Sequence, residues 1–222
     1  MTLSIVNIIE IFRSWQGEGP NAGKEAVFLR TAFCNLRCSW CDTKYSWFGG
    51  TEMSINEVYN AIMRVAGNVR HLVVTGGEPL LWLRELTPLL SLVKAQGFFV
   101  EVETNGTLRP GDLVRYVDEF NVSPKLSNSG VPSRFRINEV AIRDFVVSGK
   151  AIFKFVIDGP EDVEEVLWFI NKFGIPRNRV YLMSQCTTRE ECIAKDEDIT
   201  KPMAMKLGVN YTSRLHILMG FR

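Results

Sequence analysis

The chain has 222 residues, 46% of them hydrophobic and 23% charged, which is ordinary for a soluble globular enzyme and long enough for one sizeable core. A formal net charge of +1 argues against a nucleic-acid or anionic-membrane partner held by bulk electrostatics. The start, Met1 to Asn7, has no basic and apolar signal pattern, no run reaches the about 20 apolar residues of a membrane span, and an odd count of clustered cysteines points to a reducing cytoplasm.

No Pro/Gly/Ser-rich linker, low-complexity tract or internal copy divides the sequence, which predicts one domain over residues 1–222. Ile5 to Phe12 is β-rich and reads as a first strand, and Arg13 to Lys24 is a polar, glycine-bearing loop. Ala26 to Thr31 is a short strand that delivers the chain to a cysteine-rich loop. Ser54-Ile55-Asn56-Glu57 is a capping box and starts a helix to about Val65. His71 to Thr75 is a strand ending in Gly76-Gly77-Glu78-Pro79, and Leu83 to Gln96 is a leucine-faced helix closed by Gly97. Phe98 to Glu103 is the next strand, ending in Thr104-Asn105-Gly106. A helix from Gly111 to Glu119 then leads to a brief strand before Ser123-Pro124-Lys125.

Leu126 to Arg136 is polar and turn-rich, a predicted surface excursion. The pattern continues with a helix near Asn138 to Val146, a strand from Ala151 to Ile157, a helix from Asp162 to Phe173 and a strand from Val180 to Met183. Arg189 to Leu207 is mostly helical, and Leu215 to Met219 is predicted to close the sheet as a last strand. Strands separated by helices make parallel βαβ units. About six central strands fall short of the eight of a closed barrel, so the expected fold class is α/β, an open partial (β/α)6 barrel with ligands at the C-terminal ends of its strands.

The octet Cys34-Asn35-Leu36-Arg37-Cys38-Ser39-Trp40-Cys41 places three cysteines in the spacing C-x3-C-x2-C. Structural zinc takes four protein ligands, whereas three thiolates on a [4Fe–4S] cluster leave one iron open to bind a substrate or cofactor. This loop resembles the cluster loop of the radical S-adenosylmethionine (SAM) superfamily, with its aromatic residue before the third cysteine. The resemblance implies that the amino and carboxylate groups of SAM chelate the open iron, and that reductive cleavage yields a 5′-deoxyadenosyl radical. Gly76-Gly77-Glu78-Pro79 resembles the segment that meets the SAM amino group in that superfamily, although by itself it is equally a tight strand-to-helix turn.

Three further features narrow the resemblance: Trp15-Gln16-Gly17-Glu18-Gly19-Pro20 after the first strand, Arg30 four residues before Cys34, and Cys41-Asp42-Thr43. Together with Thr75 to Pro79, Glu103 to Gly106 and Ser123 to Lys125, they are similar to the 7-carboxy-7-deazaguanine synthase family, from about Asn7 to Lys125. That family's reaction turns 6-carboxy-5,6,7,8-tetrahydropterin into 7-carboxy-7-deazaguanine with loss of ammonia, on the route to queuosine and related deazapurines. The resemblance implies cluster ligation by Cys34, Cys38 and Cys41, and a SAM site of Trp40, Cys41, Asp42, Gly77, Ser123, Pro124 and Lys125. It further implies a pterin site of Trp15, Gln16, Gly17, Glu18, Arg30 and Thr75, and a Mg2+ ligand in Thr43, with substrate carboxylate and water completing the shell. Residues Met183-Ser184-Gln185-Cys186 fall where an adenine contact is expected. An external electron donor of flavodoxin or ferredoxin type and a symmetric homodimer belong to the same expectation.

The sequence departs from the family at Trp15, where leucine is common, and at Met183 to Cys186, where others carry a proline. Cys186 and Cys192 read as buried, inert thiols, and His71 and His216 as structural rather than ligating. Two rivals stand beside this reading. A glycyl-radical-enzyme activase would share the cluster loop and act on a protein partner, and a metal-binding or electron-transfer protein would use the cysteines as a static site.

Overall fold

The computed structural model describes residues 5–221; Met1 to Ser4, part of the start read for a signal, and Arg222 lie outside the described residues. Three strands open the fold: β1 (Ile5–Trp15), β2 (Glu25–Thr31) and β3 (Thr51–Ser54). They are antiparallel, with β1 between the other two. Helix α1 (Ile55–Ala66) follows, then β4 (His71–Gly76), α2 (Leu83–Lys94), β5 (Phe99–Thr104) and β6 (Glu119–Val122). A single helical turn α3 (Ser133–Arg136) precedes α4 (Glu139–Ser148), β7 (Ala151–Ile157), α5 (Asp162–Phe173) and β8 (Val180–Ser184). The chain ends through α6 (Arg189–Lys195), α7 (Lys201–Leu207), the two-residue β9 (Asn210–Tyr211) and α8 (Leu215–Met219).

The nine strands of the described residues form one sheet in the order β3-β1-β2-β4-β5-β6-β7-β8-β9, parallel from β2 onward. The sheet has two edges, at β3 and β9, and therefore does not close. Six longer parallel strands, β2 and β4 to β8, make the open α/β architecture that the strand count predicts. Register aligns their ends: Thr31 lies opposite Gly76, Thr104 opposite Val122 and Ile157 opposite Ser184.

Side chains alternate between the two faces of each strand. One face is uniformly apolar and packs on the helices: Val27 and Leu29, Leu72 and Val74, Val100 and Val102, Phe120 and Val122, Phe153 and Phe155, Val180 and Leu182 all join one buried core. The ring of Phe155 meets Phe169 of α5 at 5.3 Å, and that of Phe120 meets Phe145 of α4 at 5.3 Å. Helix α1 starts as its capping box dictates: Glu57 N–H donates to Ser54 Oγ at 3.4 Å, and Glu57 Oε2 accepts from Ser54 N–H at 2.7 Å.

The structure corrects four local expectations. β1 runs on to Trp15 because it pairs with β2 as far as Glu25. Residues Gly111–Arg115 form one 3-10 turn rather than a helix to Glu119, since Glu119 already starts β6. Leu126 to Arg136 is only in part a surface excursion: Leu126, Ser129, Val131 and Arg136 are buried, while Ser127, Gly130 and Pro132 to Phe135 are exposed. Leu215–Met219 is helical, not a strand, with Ile217 and Leu218 N–H both turning back to Arg214 O.

Ser54→Ala is expected to lower stability by about 1 kcal/mol through loss of the helix cap. Leu89→Ala, emptying a fully buried site under the sheet, is expected to cost about 2–5 kcal/mol. Urea unfolding of the two variants checks both the magnitudes and their order.

Candidate active site

The second face of the parallel sheet is polar. It carries Phe28 and Arg30 from β2, Thr75 from β4, Glu101 and Glu103 from β5, Asn121 from β6, Lys154 and Val156 from β7 and Met183 from β8. With the loops at the C-terminal strand ends, this face encloses a cavity of about 450 Å3, the size of a small-molecule site. Among the residues expected from sequence, Trp15, Gln16, Gly17, Glu18, Arg30, Cys34, Cys38, Trp40, Cys41, Asp42, Thr43, Thr75, Gly77, Ser123 and Lys125 all line it. Pro124 is buried and lies outside the lining.

The cysteine loop rests directly on the end of β4. A Cβ on Gly77 would fall 2.0 Å from Phe33 O and 2.9 Å from Cys34 Cβ, and one on Gly76 would fall 2.3 Å from Thr31 O. Phe33 takes the left-handed conformation, φ 71°, and its carbonyl accepts from Glu78 N–H at 2.8 Å. The glycines thus clear space for the loop backbone itself, a structural need beyond the ligand contact inferred from sequence. Buried Glu78 fastens the neighbouring strand end, accepting from Leu80 N–H at 3.0 Å, Thr104 Oγ1 at 2.8 Å and Asn105 N–H at 2.7 Å.

From the other side the 126–131 segment buttresses the loop: Ser39 N–H donates to Ser129 O at 3.0 Å and Trp40 Nε1 to Asn128 O at 3.1 Å. Lys125 lies 5.6 Å over the Trp40 ring and donates to Ser123 Oγ at 2.9 Å. Cys34, Cys38 and Cys41 are free thiols that pack with Leu36 and Val131. Burial pushes the Cys34 and Cys38 thiols up, and nearby Lys125 pulls them down. Among the described residues no His, Cys, Asp and Glu side chains group as a single-ion site.

The cavity floor is a buried charge network. Lys154 donates to Glu18 Oε2 and, at 2.9 Å, to Glu103 Oε2. Burial opposes ionisation of Glu18, yet Lys154, Arg214 and His216 outweigh it and hold the carboxyl well below its ordinary range. Burial likewise opposes the Lys154 ammonium, and the two carboxylates keep its pKa raised. Glu103 goes the other way, pushed up by burial and by Glu101 and Glu18 against the pull of Lys154. Beneath it, Glu101 accepts from Gln16 Nε2 and Asn121 Nδ2, from Asn21 Nδ2 at 2.9 Å, and pairs with His71 Nε2 at 2.9 Å. His71 is therefore structural, as expected. Arg30 Nε donates to Glu10 Oε1 at 2.7 Å, and its guanidinium stacks between Phe12 and Tyr45.

The end of the chain closes the site. Leu215 N–H donates to Gly17 O at 2.9 Å and Gly19 N–H to Thr212 Oγ1 at 2.8 Å. Arg214 pairs with Asp42, lies 3.5 Å from Glu18 and donates to Cys186 O at 2.7 Å. A Cβ on Gly17 would meet His216 Nδ1 at 2.5 Å, so this glycine admits the C-terminal helix. Cys186 and Cys192 are not thiols but a disulfide, because the β8-to-α6 turn brings their Cα atoms to 5.1 Å. Sequence reasoning named Glu103 only within a strand-end motif and missed Lys154, Arg214 and His216 as lining residues. The first two carry a readable signal, since acids at alternate positions in Phe99–Thr104 and a lone lysine in the apolar run Ala151–Ile157 must share the inner face.

The model of the radical SAM superfamily matches residues 28–183 of the chain. A 7-carboxy-7-deazaguanine synthase of Pyrobaculum aerophilum is 45% identical over 96% of this chain and 94% of its own length. The synthase of Hyperthermus butylicus is 35% identical over 97% and 93%. Among solved structures, the crystal structure of QueE from Escherichia coli superposes with a TM-score of 0.76, covering 96% of this chain and 95% of that one at 23% identity.

Lys154→Met is expected to cost about 3–5 kcal/mol at neutral pH, because it takes from half-buried Glu103 its cation and leaves Glu18 with Arg214 alone nearby besides His216. Burial then raises the folded-state pKa of Glu103 further above the unfolded value of about 4.3. The added instability is full above the raised pKa and vanishes as the pH falls below the unfolded one. Urea midpoints at neutral and acid pH check the sign: the gap to wild type narrows on acidification, and a pH-independent gap would mean that lost packing dominates.

Proposed function

Because the chain belongs to the radical SAM superfamily and, within it, to the 7-carboxy-7-deazaguanine synthases, we propose that its cavity converts 6-carboxy-5,6,7,8-tetrahydropterin to 7-carboxy-7-deazaguanine with release of ammonia, a step of 7-deazapurine biosynthesis. One observation carries the site assignment: residues from five separate segments that the family resemblance singles out line one cavity.

The donor set fits the family's cluster. Three free cysteines line one wall, and the other two of the chain's five are bonded to each other, leaving no fourth thiolate. Cys34, Cys38 and Cys41 would hold a [4Fe–4S] cluster, with Trp40, Asp42, Gly77, Ser123 and Lys125 around SAM. Pro124, outside the lining, would act by fixing Ser123 and Lys125. When bound, cluster and SAM supply the one-electron chemistry that starts a radical rearrangement.

The chain's own part is positioning and exclusion of water. Gln16, Glu18 and the backbone of Gly17 offer donors and acceptors to the pterin ring, with Trp15 and Thr75 beside them. Lys154 and Arg214 keep Glu18 ionised, so it accepts hydrogen bonds from ring N–H groups. Arg30, held by Glu10 and two aromatic faces, presents its guanidinium to the substrate carboxylate. Thr43, with its hydroxyl 3.7 Å from Cys41 Sγ, would give one oxygen to Mg2+, and substrate carboxylate and water would supply the rest. A single domain, a homodimer and an external flavodoxin- or ferredoxin-type donor complete the reading. The activase alternative is not favoured, since near-full-length relatives carry the synthase name.

Anaerobic reconstitution with SAM, dithionite, Mg2+ and 6-carboxytetrahydropterin, followed by mass spectrometry, tests this. The deazaguanine is expected to exceed SAM consumed, to vanish in Cys38→Ala and to fall when Mg2+ is omitted. Arg30→Met is expected to lower kcat/KM roughly 10- to 100-fold, the worth of a charge-assisted hydrogen bond. Formation of 5′-deoxyadenosine without the deazaguanine would sink the substrate assignment and leave the superfamily chemistry standing.

A further inference from the structure

Glu101 lies in the middle of β5 on the inner face of the sheet, is fully buried and does not line the cavity. A carboxylate accepts at about four sites, and four groups reach this one. Gln16 Nε2 and Asn121 Nδ2 donate to Oε1, Asn21 Nδ2 donates to Oε2 at 2.9 Å, and His71 Nε2 pairs with Oε2 at 2.9 Å. Burying a carboxylate costs stability that an apolar side chain would not. What the carboxylate supplies here, and an apolar side chain would not, is order in a loop.

Gln16 and Asn21 are the two ends of the segment that carries Gly17 and Glu18 to the cavity, and the same acid orients both amides. Gln16 Nε2 has two protons, one directed to Glu101 Oε1 and the other to Glu103 Oε1 at 3.2 Å. Its Oε1 accepts from Glu18 N–H at 3.2 Å. Asn21 Nδ2 divides its protons between Glu101 and Glu119 Oε1 at 2.8 Å, and its Oδ1 accepts from Lys24 Nζ at 2.7 Å. A glutamine amide has two orientations of nearly equal shape. The reversed one would set the Gln16 oxygen against two carboxylate oxygens and its NH2 against an N–H, so only one orientation is left. With both N–H protons engaged, the Gln16 side chain offers the cavity an acceptor and no donor. Glu18, paired with Lys154, is a second acceptor on the same loop.

We propose that Glu101 is a positioning residue for substrate selection: it fixes the Gln16 amide with its oxygen toward the ligand and anchors the loop at Asn21. The loop then reads a heterocycle edge with adjacent N–H donors, the ring N–H and exocyclic amine of a 2-aminopyrimidin-4-one. The 2-oxo counterpart brings an acceptor against acceptors and leaves buried polar groups unpaired, so it is rejected. The inference rests on the pterin reading of the cavity and adds what selects the ring.

The test uses the reconstituted holoenzyme with SAM and Mg2+ and two aromatic ligands without a hydrogen on C6, pterin-6-carboxylate and its 2-oxo analogue lumazine-6-carboxylate. Anaerobic equilibrium dialysis reads affinity and the number of sites. Wild type is expected to prefer the pterin by about tenfold or more. Glu101→Met removes both acceptor oxygens, adds no donor and leaves Gln16 only its longer bond to Glu103. It is expected to cut pterin affinity about tenfold and to bring the preference within about threefold. With 6-carboxytetrahydropterin as substrate, KM rises by a similar factor and kcat changes less than about threefold. Gln16→Ala is expected to show the same preference with and without Glu101→Met, because the two residues act through one amide. A merely structural role would lower the number of sites and leave both affinities and KM intact. That outcome overturns the proposal, as does a wild type that binds both ligands equally. Asn21→Ala spares Glu101 and keeps the test readable if Glu101→Met does not fold. It is expected to weaken both ligands alike, about threefold, with the preference retained, and unchanged affinities would overturn the anchoring. A wild type that binds neither ligand would sink the substrate assignment as well, whereas normal pterin binding with an unchanged preference in Glu101→Met overturns this inference alone.

Discussion

The contact on which the site depends is between two backbones. The cysteine loop leaves β2 and crosses the end of β4 so closely that no Cβ fits at Gly76 or Gly77. With Phe33 held at φ 71° and its carbonyl bonded to Glu78 N–H, the loop has no freedom to lift away from the sheet. Three thiols are thereby fixed over the mouth of the cavity rather than carried on a mobile excursion. The same glycines that a sequence reader assigns to a ligand are first the seat of the loop, and any ligand contact by Gly77 comes after that geometric demand.

The second constraint is electrostatic and opposes the first in character. An inner face that carries Glu101, Glu103, Glu18 and Lys154 largely shielded from water is costly, and folding on this face is tolerable because these charges have partners. Lys154 neutralises two carboxylates, and Glu101 collects donors from Gln16, Asn21, Asn121 and His71. The satisfaction is incomplete at two buried atoms, Asn121 Oδ1 beneath the cavity floor and Arg214 Nε beside Glu18, which have no hydrogen-bond partner. Stability on this face is given up for recognition, and the uniformly apolar face on the helix side offsets the loss.

Much of this was legible in the sequence, and for identifiable reasons. Punctuation was: the capping box at Ser54, the glycine closing α2, and the three cysteines all sit where local rules place them. The parallel order followed from strands alternating with helices. What the sequence concealed is long-range. Leu215–Met219 has a composition compatible with a strand, and only its anchoring at Gly17 makes it a helix turn over the site. Leu126 to Arg136 is polar in its first half because Asn128 and Ser129 hold the cysteine loop, and in its second half because Pro132 to Phe135 face water. Cys186 and Cys192 looked like inert thiols because counting cysteines says nothing of a turn that brings two Cα atoms within bonding range. Lys154 was readable in principle, since period-two alternation decides its face, but a search for strand ends passes over a residue in the middle of a strand.

The closure by the last residues has a consequence for how the site is assembled. Arg214 joins Asp42, from the cysteine loop, to Glu18, from the loop after β1, and to the carbonyl of Cys186, after β8. Thr212 and Leu215 add backbone bonds to Gly19 and Gly17 across almost the whole length of the chain. The loops so joined arise from strands at different positions in the sheet. The sheet sets where each loop begins; the C-terminal segment sets how far apart they stand. A buried arginine suits that task, because its rigid fork bonds Asp42 and Cys186 O in fixed directions while its charge faces Glu18, whereas a lysine would supply the charge without the angles. The cavity is therefore shaped at two levels, by register within the sheet and by one guanidinium that spans its mouth.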